Sequence, residues 1–180
     1  MPVFPKFHAK HGPAFDCQPV SEDRCAAYRG KLPDELIEEW QEHGWCAYQD
    51  GLLWTIDPGQ LADVIDDGNG RIPFLRTAFG SVFYWDGSRA FKLDAFTGES
   101  TLVFNRMPVL FDSMLCKADY LQDSLHADLF QHALAERGKL ARDECYGYLP
   151  PLPMGGPGTF ETLKRVKLRE HLAIVLQASA

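Results

Sequence analysis

The chain has 180 residues, 46% of them hydrophobic and 24% charged, and a formal net charge of −7. That composition suits one soluble globular unit able to bury roughly 70% of the surface its unfolded chain exposes. It excludes collagen-like, low-complexity and disordered classes, and the acidic balance excludes the basic face that direct DNA or RNA binders carry.

The N-terminus, MPVFPKFHAKHG, lacks an uninterrupted apolar stretch and a small-residue cleavage site, so no signal peptide is expected. No apolar run is long enough to span a membrane. Residues 1–20 hold four prolines and scattered phenylalanines (Phe4, Phe7, Phe15) and read as an irregular arm pinned by aromatic anchors. Ser21 is placed to cap a short helix to about Tyr28, and Gly30 stops it.

In LPDELIEEWQEHG, Pro33 suits the first helical turn and Asp34 and Glu35 complement the helix dipole there. Gly44 is placed to end the helix. Leu36, Ile37 and Trp40 share one face, and Glu35, Glu38, Glu39 and Glu42 form a solvated acidic stripe on the other. CAYQDGLLWTI then predicts a hairpin, and Asp57-Pro58 opens a second helix to about Asp66, where DDGNG breaks it.

From Ile72 to Phe104, aromatic and β-branched residues punctuated by DG and TG predict an antiparallel meander. Helices follow over roughly 109–121 and 125–137, the second ended by Gly138. Asp143 to Leu149 reads as extended, PPLPMGGPG as a loop, and KLREHLAIVLQASA as a final helix. Strands in the middle with helices before and after define an α+β fold, a central antiparallel β-meander flanked by helices. The chain divides into the arm (1–20), an α+β segment (21–106) and a helical segment (107–180), packed as one compact unit.

DECYGYLPPLPMGGPG, from Asp143 to Gly158, is the stretch that most resembles an active site. Its glycines lack the Lys-Ser/Thr of a phosphate-binding loop, and Pro157 removes an N–H that would cradle an anion. Asp143 and Glu144 are adjacent, so along a strand they point to opposite faces. Cys145 as a nucleophile needs a histidine beside it, and neither a cysteine-protease signature nor GxSxG is present. His8 and His11 form HxxH, with Cys17 further on, but no second pair accompanies them, and no metal site is expected. Five cysteines, at 17, 25, 46, 116 and 145, form no CxxC, which predicts reduced, mostly buried thiols in a cytoplasmic protein. Trp40, Trp45, Trp54 and Trp85 read as core. No catalytic residue and no cofactor are expected. The net charge points to a basic partner protein, while a small hydrolase using Asp143, Glu144 or Cys145, or a plain assembly or ligand-binding module, stands as the alternative.

LPDELIEEWQEHGWCAYQDGLLWTIDP resembles the start of the GAD-like domain, and RTAFGSVFYW resembles its central strands. DECYGYLPPLPMGG followed by LREHLAIVLQ is similar to the domain fused behind it. In this order, over about residues 20–177, the set resembles immunity proteins paired with DNase effectors of the bacterial type VI secretion system. The resemblance implies a cytoplasmic inhibitor, with no catalytic role for the 143–158 segment, that binds a cognate nuclease toxin and protects the producing cell. A nuclease must attract phosphates, so its working face is basic. The partner-binding residues expected from charge density are Glu35, Glu38, Glu39 and Glu42, with Asp63, Asp66 and Asp67 as a second acidic group.

Overall fold

The computed structural model describes residues 1–180. Seven strands form one antiparallel sheet in which every strand pairs with the next in sequence: β1 (Phe15–Gln18), β2 (Trp45–Tyr48), β3 (Leu53–Thr55), β4 (Ile72–Thr77), β5 (Val82–Trp85), β6 (Ala90–Leu93) and β7 (Ser100–Phe104). Eight helices surround it: α1 (Pro5–His11), α2 (Glu22–Tyr28), α3 (Asp34–His43), α4 (Ala62–Ile65), α5 (Met107–Asp112), α6 (Ala118–Asp123), α7 (Ala127–Arg137) and α8 (Leu168–Ser179). A two-stranded ribbon, β8 (Glu144–Tyr148) with β9 (Leu163–Lys167), joins the large sheet through the Tyr146 N–H, which donates to the Ala78 carbonyl at 2.8 Å. The fold is α+β, with helices flanking the antiparallel sheet. No helix is long and apolar enough to cross a membrane.

Alternation along the strands sends successive side chains to opposite faces. Cys46, Tyr48, Phe83 and Trp85 enter a cluster of 30 buried residues, and Ala47, Trp54, Val82 and Tyr84 enter a second cluster of 12. α3 delivers Leu36, Ile37 and Trp40 to the first cluster. Leu61 and Ile65 at α4, and Leu168 and Leu172 of α8, close the second. α3 and α4 therefore lie over opposite faces of the sheet. The larger cluster includes Phe4 from the N-terminal segment and Leu163 from β9, so apolar packing runs across both segment boundaries.

Three expectations from the sequence are revised. Residues 1–20 are not irregular but contribute α1 and the edge strand β1. A seven-residue helix is marginal alone. Here Phe4 and Phe7 are fully buried, Phe4 stacks on Phe111 at 4.2 Å, and Asp112 Oδ1 accepts the Phe7 N–H at 2.9 Å. Each buried phenylalanine contributes about 1.5–3 kcal/mol, and the acceptor satisfies a donor that a helix start leaves free.

The helix expected over 109–121 is broken into α5, a 3₁₀ turn at Met114–Cys116, and α6. The Leu115 carbonyl within that turn accepts from His11 Nε2 at 2.7 Å, so tertiary bonding with α1 takes over where helical continuity would have run.

Cys17 and Cys46 are joined as a disulfide, with Cα atoms 4.1 Å apart, and only Cys25, Cys116 and Cys145 are free thiols. An odd count conceals the pair, because pairing of β1 with β2 is what brings positions 29 residues apart together. Gly44 permits the approach. At φ +81° it ends α3 in a conformation that suits glycine, and a Cβ there would collide with the Gln18 carbonyl.

Candidate partner interface and a buried carboxylate

Helix α3 begins after Pro33, carries Asp34 and Glu35 in its first turn, and stops at Gly44. Its outer face presents Glu38 and Glu42 exposed and Glu35 half-buried. None of the three engages a basic side chain; every ion pair of α3 involves Glu39. Three uncompensated carboxylates at spacings of three and four form a compact negative strip.

Glu39 does not belong to that strip. It is 1% exposed and points inward, against the expectation of a solvated stripe. Its Oε1 sits 2.7 Å from His8 Nε2 of α1 and 3.4 Å from His43 Nδ1, and the Tyr48 hydroxyl lies 3.5 Å away. Its Oε2 has no hydrogen-bond partner, and neither does His43 Nδ1. The His8 and His43 rings stack at 4.2 Å between centroids. Burial and the neighbouring Glu39 charge both push the Tyr48 phenol far above its usual range. Burying a carboxylate is costly unless it is paired, and His8 supplies the pairing from 31 residues away. The signal available in the sequence was the i,i+4 spacing of Glu39 and His43, with the His8 and His11 pair upstream.

The HxxH pair divides. His11 is buried away from His8, with Nδ1 2.6 Å from the Gln49 side chain and Nε2 on the Leu115 carbonyl. Desolvation lowers its pKa, so a neutral ring donates from Nε2, and Gln49 must turn its amide to donate to Nδ1.

The second acidic group is consumed by the fold. Asp63 makes a bidentate pair with Arg169 of α8, and that contact lowers its pKa. Asp66 Oδ1 accepts the N–H groups of Gly68 and Gly70, both at 3.0 Å. Desolvation opposes ionisation there, but those backbone bonds prevail and lower the pKa. Asp67 pairs with Arg71 at 2.7 Å. These three lie at α4, across the sheet from α3, so the two acidic groups do not form one surface.

Asp143, Glu144 and Cys145 do not converge. Asp143 is exposed and pairs with Lys167 at 2.6 Å, which lowers its pKa. Glu144 Oε2 accepts the Ala141 N–H at 2.9 Å. Cys145 is fully buried beneath Gly80 and Leu168, and burial pushes its thiol up to about 12. A thiol so placed supplies no thiolate at neutral pH. Arg142, Asp143, Lys167 and Arg169 line a cleft of about 650 Å³, but each of these charges already has a partner within the chain. The glycines of the segment serve packing: a Cβ on Gly147 would stand 2.6 Å from the His171 ring. Arg76 of β4, fully buried over the Trp54 ring at 4.3 Å, donates to the Arg142 carbonyl at 2.8 Å and ties the approach to β8 onto the sheet.

Residues 2–97 match the GAD-like domain. The chain belongs to the GAD-like family. Residues 109–179 match the family described as T6SS immunity protein Tdi1, C-terminal. Among solved structures, the chain is similar to that titled Atu4351 from Agrobacterium tumefaciens, with a TM-score of 0.76 at 16% identity, covering 98% of this chain and 89% of that one. At that identity the likeness shows a shared fold. No curated protein matches in sequence. The two family matches place this GAD-like chain among type VI secretion immunity proteins. The 143–158 segment falls inside the immunity match, where β8 pairs antiparallel with β9 and α8 packs against β8 and the 3₁₀ turn at Leu152–Met154.

Proposed function

We propose that this protein binds the nuclease domain of a cognate type VI secretion effector in the cytoplasm and neutralises its DNase activity, with no bond-making of its own. The observation that carries the reading is the immunity-protein match over residues 109–179. The chemistry agrees with it. A DNA-cutting enzyme needs a basic surface for phosphates, and this chain carries a net charge of −7 with an unpaired strip at Glu35, Glu38 and Glu42. That strip is the patch offered to the toxin. It steers the encounter, while apolar groups desolvated at contact supply most of the affinity. The refined patch leaves out Glu39, which is buried, and Asp63, Asp66 and Asp67, which are engaged within the chain.

The test is co-expression with a type VI effector nuclease whose gene adjoins that of this protein, once one is identified, read as cell survival and as a stable complex on gel filtration. Survival and a 1:1 complex are expected, and DNA is expected to compete with complex formation. A triple variant, Asp143→Asn, Glu144→Gln and Cys145→Ala, is expected to protect fully. Loss of protection in a folded triple variant overturns inhibition by binding alone. Killing despite co-expression overturns the whole reading.

A further inference from the structure

We propose that His8, Glu39 and His43 form a binding site for one divalent transition-metal ion of the zinc class, which ties α1 to α3. The nitrogen and carboxylate donor atoms of the three side chains all lie within 4.8 Å of one another. Two imidazoles and one carboxylate are the donor set of an open tetrahedral zinc site. Donors around such an ion at about 2.0–2.1 Å stand roughly 3.3 Å apart. His43 Nδ1 and Glu39 Oε1 are already 3.4 Å apart, and His8 Nε2, at 2.7 Å from Oε1, has to open by a fraction of an ångström. Imidazole donors favour zinc, copper, cobalt or nickel over calcium or magnesium.

A second observation points to a cation. Glu39 Oε2 is an unpartnered oxygen on a side chain 1% exposed, and His43 Nδ1 beside it also lacks a partner. A buried carboxylate with one free oxygen is a costly arrangement, which a dication that also engages Oε2 would remove. Access is available, because His8 and His43 are 15% and 25% exposed and form the outer edge of the cluster. The rings are stacked with planes 26° apart, so they cannot both aim in-plane lone pairs at one ion. Binding therefore turns a ring about its Cβ–Cγ bond, and His43 is the more exposed of the two.

The experiment uses the full chain, stripped with a chelator, titrated with zinc chloride in a calorimeter and with cobalt chloride in a spectrophotometer. The expected result is one ion per chain, tetrahedral cobalt bands without a thiolate charge-transfer band, and a Tm that rises with zinc. His43→Gln and Glu39→Gln are each expected to weaken binding at least about 10-fold, and His132→Gln on the exposed surface is expected to change nothing. His43 is the more exposed of the two histidines, so His43→Gln keeps the test valid if Glu39→Gln fails to fold. No binding at millimolar zinc, affinity unchanged in His43→Gln, or a thiolate band tracing the ion to Cys116 overturns the proposal. The first of these outcomes would leave the cluster as a histidine–carboxylate hydrogen-bonded group.

Discussion

Three glutamates of α3 (Glu35, Glu38 and Glu42) face outward without an ion-pair partner, whereas all three aspartates between 63 and 67 are committed inside the molecule. The fourth α3 glutamate, Glu39, is committed more deeply still. By composition the two groups are equivalent acidic clusters. By structure one is free charge available to a partner, and the other is a set of turn and helix fastenings. Only uncompensated charge steers an encounter, because a carboxylate next to a guanidinium presents little net field at a distance.

Removing the most deeply committed acid is expected to have the largest effect. Glu39→Ala leaves His8, His43 and Tyr48 facing a gap, and breaking a buried ionic cluster costs about 3–5 kcal/mol. In a chain of this length that is roughly a 10 °C drop in Tm, readable by calorimetry. A drop equal to that of Glu38→Ala would erase the distinction between buried and free acids. Reversing the free strip is expected to move binding instead. Glu35→Lys, Glu38→Lys and Glu42→Lys together should weaken affinity for the effector about 10-fold, mainly through a slower on-rate and a flatter salt dependence. Stability should stay within about 0.5 kcal/mol per site. Unchanged kinetics would rule out the strip as the docking face.

The smallest effect belongs to the α4 acids and is confined to a pH window. Asp63 and Asp66 have folded pKa values below their unfolded values, held there by Arg169 and by the Gly68 and Gly70 N–H groups. Their contribution is therefore present above the unfolded pKa, near 3.8, and is lost as pH falls through the lower folded value. Asp63→Asn with Asp66→Asn is expected to lower the urea midpoint slightly at pH 6. The gap from the parent protein should close as pH drops from about 4 toward 2. Binding to the effector should not change. A gap that persists at pH 2, or lost affinity at pH 7, would show that these acids are not merely internal fastenings.

Periodicity and punctuation in the sequence determined much of the architecture. The apolar face of α3, its stop at Gly44, the β2–β3 hairpin, the β4–β7 meander and the extended Asp143–Leu149 segment all follow from local rules that act within a few residues. The ordered GAD-like and immunity motifs were legible too. What only the tertiary structure decided are the features that need a partner from far along the chain. Glu39 reads as one more solvated glutamate until His8 arrives from 31 residues away to make its burial tolerable. Phe4 and Phe7 turn a proline-rich arm into a helix only because Phe111 and Asp112 receive them. Cys17 meets Cys46 only once β1 pairs with β2. Local spacing sets which backbone conformation is cheap, but burial, pairing and free charge depend on long-range contacts that folding alone creates.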